Sequence, residues 1–197
     1  MLLSDLLKGY RLILASQSPR RKELLEGLDL EFEIIVRPDI QEDFPAGMGK
    51  LEIPSLLARI KSDAYIDLLD EKTILITADT IVWLKNKVVG KPENTQDAKS
   101  IVSQLSGNMH EVITGVCIRS ADKIKVFHSV SKVWFRKLTD EEINYYIELY
   151  KPMDKAGAYG IQEWIGYAGI EKIEGSFYNV MGLPVQLLYM ELKKFVK

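Results

Sequence analysis

The sequence predicts an α/β protein built on a mixed sheet. Strand-like and helix-like segments alternate through the N-terminal half. Two long segments rich in Val, Ile, Phe and Trp, Glu111 to Arg119 and Lys123 to Phe135, are joined only by Ser120-Ala121-Asp122. No repeat, low-complexity tract or flexible linker interrupts the chain. Alternation alone is compatible with a purely parallel sheet, but a pair of long strands around so short a link is an antiparallel hairpin, so the sheet should be mixed. A single domain over residues 1–197, with room for two lobes, is expected, since 197 residues can bury a substantial core.

In chain order, MLLSDLLKGY suggests a short amphipathic lead-in helix. Arg11 to Ala15 is an apolar strand, SQSP a polar turn, and RRKELLEGL a helix with Leu24, Leu25 and Leu28 on one face and Gly27 near its end. Leu30 to Val36 can form a second strand, followed by an acidic loop over Arg37 to Lys50. From Pro54 to Leu69 the residues Leu56, Leu57, Ile60, Ala64 and Leu68 recur at helical spacing, with Lys61 beside that face. Thr73 to Ala78 is a buried-type strand that ends at Asp79 and Thr80.

After Gly90-Lys91-Pro92, Asn94 or Thr95 can cap a helix that buries Ala98, Ile101, Val102 and Leu105 and stops at Ser106-Gly107-Asn108. The hairpin follows, and then Thr139 with Glu142 forms a capping-box pattern before Ile143, Tyr146, Ile147 and Tyr150. Val185, Leu188, Leu192 and Phe195 define a closing helix after Gly182-Leu183-Pro184.

Composition bounds the function. The net charge of -2, with 47% hydrophobic and 27% charged residues, argues against a protein that coats nucleic acid or a membrane surface. The longest apolar stretches, such as Thr73 to Leu84, fall short of the roughly 20 residues of a membrane span. Asp5 and Lys8 interrupt the apolar start, so no signal peptide is expected. Cys117 is the only cysteine, which excludes an intramolecular disulfide framework, argues against a thiolate zinc cluster and points to the cytoplasm. His110 and His128 lie far apart without ligand spacing and are expected to be structural.

Several segments could carry chemistry. Ser16, Ser18, Arg20 and Arg21 cluster where a strand hands over to a helix, whose unpaired N–H groups favour an anion. They could cradle a phosphate, or simply cap a helix beside solvated arginines. Asp79 lies where α/β enzymes place ligand-contacting groups and could serve as metal ligand, general base or turn cap. Arg20, Lys61 and Lys91 could neutralise a polyphosphate while Glu42 and Asp79 hold Mg²⁺, although Asp39, Glu42 and Asp43 would equally suit a solvated loop. In Asp154 to Gln162, small residues allow close backbone approach, and the amide of Gln162 offers a donor and an acceptor to a uracil or thymine edge; a Gly-rich connecting loop is the alternative.

Taken together, LASQSPRRKELL, LARIKSDA, TADTIV, GKP, LSGNMHEVITGV, LTDEEI, DKAGAYGIQ and GSFYNVMGLPV resemble the Maf-like family of nucleotide pyrophosphatases over nearly the whole chain. Their order and spacing carry more weight than any single segment. The resemblance implies an elongated α/β fold with two lobes around a central cleft, similar to inosine triphosphate pyrophosphatases. It also implies dependence on a divalent cation, Mg²⁺ or Mn²⁺.

Carried over by residue, the resemblance makes Asp79 the catalytic proton acceptor and Arg20, Thr80 and Gln162 the specificity positions. Glu42, Lys61 and Lys91 match further polar positions. Phosphate contacts are then expected from Ser16, Ser18, Arg20, Lys61 and Lys91, and metal contacts from Glu42 and Asp79. DKAGAYGIQ looks like the subfamily acting on dTTP and UTP, with cleavage between the α and β phosphates. Two alternatives stay open: a pyrophosphatase for 7-methyl-GTP or another modified nucleotide, and a non-catalytic nucleotide-binding regulator of septum formation. The expected partner is a nucleoside triphosphate, with no nucleic acid and no membrane; a homodimer follows only from the resemblance.

Overall fold

In the computed structural model, which describes residues 1–197, seven strands and eight α-helices alternate as expected for the mixed class. The strands are β1 (Arg11–Leu14), β2 (Glu33–Ile34), β3 (Thr73–Leu84), β4 (Lys87–Val89), β5 (Met109–Arg119), β6 (Ile124–Phe135) and β7 (Ile170–Glu174). The helices are α1 (Leu3–Leu6), α2 (Pro19–Glu26), α3 (Glu52–Asp63), α4 (Thr95–Leu105), α5 (Asp140–Tyr150), α6 (Trp164–Gly169), α7 (Phe177–Met181) and α8 (Val185–Phe195). Two 3-10 turns lie at Ile66–Leu68 and Ala156–Ala158.

Leu12, Ile13 and Leu14 of β1 are all buried, without alternation, because β1 is an interior strand flanked in parallel by β2 and β3. Leu14 pairs with Ile34 on one side and Ile76 on the other. The sheet order is β2-β1-β3-β5-β6-β7, with β4 attached to β3. β4 runs antiparallel to β3 and β7 antiparallel to β6, so the sheet is mixed. At the expected hairpin between β5 and β6, the Ser120 N–H donates to the Lys123 carbonyl at 2.9 Å and the Lys123 N–H to Ser120 Oγ at 3.2 Å.

The helix caps follow the sequence signals. Asn94 caps α4 by accepting the Asp97 N–H at 2.9 Å. Thr139 and Glu142 form the reciprocal capping box of α5, at 3.2 and 2.8 Å. Other boundaries move. α3 starts at Glu52 and ends at Asp63 instead of reaching Leu69, because Tyr65 leaves the helical conformation and buries its ring with Ile13, Ala15 and Leu75. The strand expected to stop at Asp79 continues to Leu84, since Ile81, Val82 and Leu84 are also buried and β4 pairs with this extension. The second strand shrinks to two residues, and α6, β7 and α7 form without a local sequence signature.

Two compact units emerge. One comprises Met1–Asp79, Thr114–Ser129 and Gly182–Lys197; the other comprises Thr80–Ile113 and Val130–Met181. Neither is a continuous stretch of chain, so they are not sequential domains. In the first unit α8 lies against α1. Gly115 of β5 lets α3 approach: a Cβ there would stand 2.2 Å from the Pro54 carbonyl oxygen. In the second unit α4 packs on α5 and on the turn at Ala156–Ala158. His110, Phe135 and Tyr159 meet edge to face with centroids 5.0 to 5.4 Å apart. No helix is long and apolar enough to cross a membrane.

Candidate active site

In the first unit the turn between β1 and α2 is organised by its own hydroxyls. Ser16 Oγ accepts the Ser18 N–H at 3.2 Å, and Ser18 Oγ accepts the Arg21 N–H at 3.4 Å as the cap of α2, with Pro19 in the first helical position. Capping uses hydroxyl lone pairs; the O–H groups are the donors an anion would meet.

The two arginines differ. Arg21 donates from Nε to the Gly182 carbonyl and from Nη1 to the Ala78 carbonyl, both at 2.8 Å. It acts as a strut joining α2, β3 and the approach to α8. Desolvation lowers the pKa of its guanidinium, opposed by the nearby charge of Asp79. Arg20, beside it, is half-buried.

β3 and α3 together place the next group. Alternation on a strand puts Thr77 and Asp79 on one face, about 7 Å apart. Ala58 and Lys61 are three residues apart on one side of a helix. Thr77 Oγ1 donates to the Ala58 carbonyl at 2.6 Å, and this buried bond sets the register of helix against strand. The next contact along both elements is Lys61 Nζ to Asp79 Oδ1, at 2.6 Å. The side chains are 15% and 12% exposed, which makes this an enclosed ion pair and not a surface one.

Lys61 Nζ also lies 2.9 Å from Glu42 Oε2. The loop bearing Glu42 is exposed, but its start is anchored. Arg37 forms a two-pronged bond with Asp67 at 2.7 and 2.6 Å, its N–H donates to Tyr65 Oη at 2.8 Å, and its guanidinium lies 5.1 Å from the Tyr65 ring centroid. Ile35 and Ile40 pack on the cluster formed by Ile13, Ala15, Tyr65 and Leu75. Thus two carboxylates from separate segments converge on one ammonium.

No group of three or more His, Cys, Asp or Glu side chains forms a metal cage. The Glu42 and Asp79 pair nevertheless fits a hard divalent cation such as Mg²⁺, which commonly takes one or two carboxylates and completes its shell with phosphate oxygens and water.

In the second unit Thr80 is half-buried on β3, and Lys91 is exposed in the loop before α4. The Gly157 N–H donates to the Gly90 carbonyl at 3.0 Å, which ties the Lys91 loop to the segment carrying Gln162. That segment is tightly built. Gly157 has φ +72°, and a Cβ on it would stand 2.9 Å from Val82 Cγ2. Ala158 follows at φ 53°, a left-handed conformation that costs a residue with a side chain about 1 kcal/mol. Gln162 is half-buried, and its Oε1 is enclosed without a hydrogen-bond partner.

The structure therefore gathers Glu42, Lys61 and Asp79 into one constellation, with Ser16, Ser18 and Arg20 in the same unit, and links the Lys91 loop to the Gln162 segment in the other. Sequence reasoning missed the strut of Arg21 and the anchor at Arg37. Both act through backbone carbonyls or residues distant in sequence, for which spacing gives no sign.

A family model described as Maf-like protein matches residues 11–195. Among similar curated proteins, a dTTP/UTP pyrophosphatase of Parabacteroides distasonis is 57% identical over 189 residues, covering 96% of this chain and 98% of that protein. One from Porphyromonas gingivalis is 54% identical, covering 97% of each chain. One from Flavobacterium johnsoniae is 48% identical over 99% of this chain and all 100% of its own length. Among solved structures, a HAM1 protein from Coxiella burnetii has a TM-score of 0.49 at 15% identity, covering 94% of this chain and 99% of that one. With a family model spanning nearly its full length and relatives at about half identity or more, this chain belongs to the Maf-like protein family.

Proposed function

We propose that this protein hydrolyses nucleoside triphosphates, with dTTP and UTP as substrates, between the α and β phosphates. The observation that carries the reading is the convergence of Asp79 and the more exposed Glu42 on the enclosed ammonium of Lys61 in the first unit. Relatives named dTTP/UTP pyrophosphatase support the substrate class.

In this mechanism Asp79 orients the attacking water and accepts its proton as the water oxygen bonds to the α phosphorus. The bond from that phosphorus to the bridging oxygen breaks, and pyrophosphate departs with the electron pair. Lys61 and Arg20 supply positive charge for the phosphate oxygens, and Ser16 and Ser18 supply hydroxyl donors. Mg²⁺ or Mn²⁺ would be held by Asp79 and Glu42, and when bound it would offset the negative charge of the triphosphate.

Base choice rests on Thr80 and above all Gln162, both in the second unit. A buried acceptor without a partner costs about 1 to 3 kcal/mol, which a suitable ligand donor restores. Uracil and thymine offer an N3–H donor between two carbonyls, whereas cytosine has a lone pair at that position. An Oε1 acceptor directed at N3 would therefore suit the first two bases and face a lone pair on cytosine.

Initial rates with dTTP, UTP, dCTP and 7-methyl-GTP in the presence of Mg²⁺ test the proposal. Preference for dTTP and UTP is expected. Faster turnover of 7-methyl-GTP contradicts the base assignment, and binding without turnover of any of them supports a regulator instead.

A further inference from the structure

The residue after Gln162 holds the turn on which Gln162 is displayed. The Glu163 N–H donates to the Gly160 carbonyl at 3.0 Å, closing a four-residue turn with Ile161 and Gln162 at its centre. The same two ends are joined again through Tyr146 of α5. The Gly160 N–H donates to Tyr146 Oη at 3.0 Å, and the Tyr146 hydroxyl donates to Glu163 Oε2 in a short bond.

Glu163 Oε1 lies 3.1 Å from Lys155 Nζ, whose side chain is only 10% exposed and also meets Asp154 at 2.8 Å. Lys155 opens the segment and Glu163 closes it, so this ion pair clamps the whole loop. Contacts on the backbone leave it little freedom. A Cβ on Gly160 would stand 2.7 Å from the Glu163 carboxylate carbon, and one on Gly166 would stand 1.7 Å from the Ile161 carbonyl oxygen.

None of these groups belongs to the constellation at Asp79. A clamp this dense on a loop that includes left-handed Ala158 fixes the backbone from which the Gln162 side chain projects before any ligand arrives. We propose that Glu163, held between Tyr146 and Lys155, is a positioning residue for base selection by Gln162. This rests on the assignment of Gln162 to the base.

The test compares kcat/KM for UTP and CTP in the wild type, Gln162→Ala, Glu163→Gln, the double variant and Tyr146→Phe. Gln162→Ala should lower the UTP preference about tenfold, the equivalent of one lost hydrogen bond. Glu163→Gln should lower it by a similar factor, mainly through a higher KM for UTP, and should add nothing in the Gln162→Ala background. Tyr146→Phe keeps the ring and the ion pair while breaking the link to Gly160, so the same fall is expected even if Glu163→Gln fails to accumulate as folded protein.

An unchanged ratio in Gln162→Ala overturns the base-reading role and this inference with it. A ratio lowered in Gln162→Ala but unchanged in Glu163→Gln and Tyr146→Phe overturns this inference alone. Equal loss of rate on both nucleotides in both backgrounds marks the clamp as merely structural, and also overturns it.

Discussion

Lys61 Nζ stands 2.6 Å from Asp79 Oδ1 and 2.9 Å from Glu42 Oε2, so in the absence of any other cation one ammonium holds two carboxylates together. Removing it should be felt first as a loss of stability. Lys61→Met leaves Asp79 and Glu42 facing each other, and unfolding in EDTA should occur at lower temperature by on the order of 5 °C, corresponding to about 2 kcal/mol. Added Mg²⁺ should raise the melting temperature of the variant more than that of the wild type, because the metal replaces the missing charge. Equal stabilisation of both proteins argues against Glu42 and Asp79 as the metal ligands.

Asp79→Asn preserves shape and removes the proposed proton acceptor. Steady-state turnover of dTTP should fall by roughly a hundredfold or more, while nucleotide binding measured by calorimetry is largely retained. Turnover within a few-fold of wild type removes Asp79 from the chemistry.

His110 couples stability to pH. It is buried, its Nε2 lies 2.7 Å from Tyr159 Oη, and burial pushes its pKa down from 6.5 to about 4. Between these values the unfolded chain binds a proton that the folded chain does not, so stability decreases as pH falls through this window. Full loss amounts to about 3 kcal/mol and is complete below the folded pKa. His110→Phe should flatten this part of the pH profile. It should also be less stable near neutral pH by about 1 to 3 kcal/mol, since Tyr159 loses its partner. An unchanged slope in chemical denaturation contradicts the assignment.

Gly115→Ala tests how α3 is seated. The added methyl meets the Pro54 carbonyl oxygen at 2.2 Å, a backbone atom that can retreat only if the helix moves. A loss of about 1 to 3 kcal/mol is expected. Lys61 lies farther along the same helix, so dTTP turnover should also fall; normal stability and turnover would show that the helix has room to shift.

The parts legible in the sequence were those with local signatures. The capping box at Thr139 and Glu142, the Asn94 cap and the hairpin at Ser120 to Asp122 all formed where residue types and spacing placed them. β7 escaped because most of its residues are exposed and show no buried alternation, and α7 because it is only five residues long. Asp79 was recognisable as a site candidate at the edge of an apolar run, but the run did not end there, and its register against α3 depends on the bond from Thr77 to Ala58. The DKAGAYGIQ segment was visible through its glycines and its amide, whereas the clamp through Tyr146 and Glu163 was hidden, since nothing in the spacing relates a helix face to the residue after the motif.

The proposed reaction stands or falls on attack of water at the α phosphorus beside Asp79. Hydrolysis of dTTP in water enriched in heavy oxygen tests it most directly, with mass spectrometry of both products. The expected products are dTMP carrying one heavy oxygen and unlabelled pyrophosphate. Thymidine diphosphate with labelled inorganic phosphate, or dTMP with labelled pyrophosphate, would contradict it.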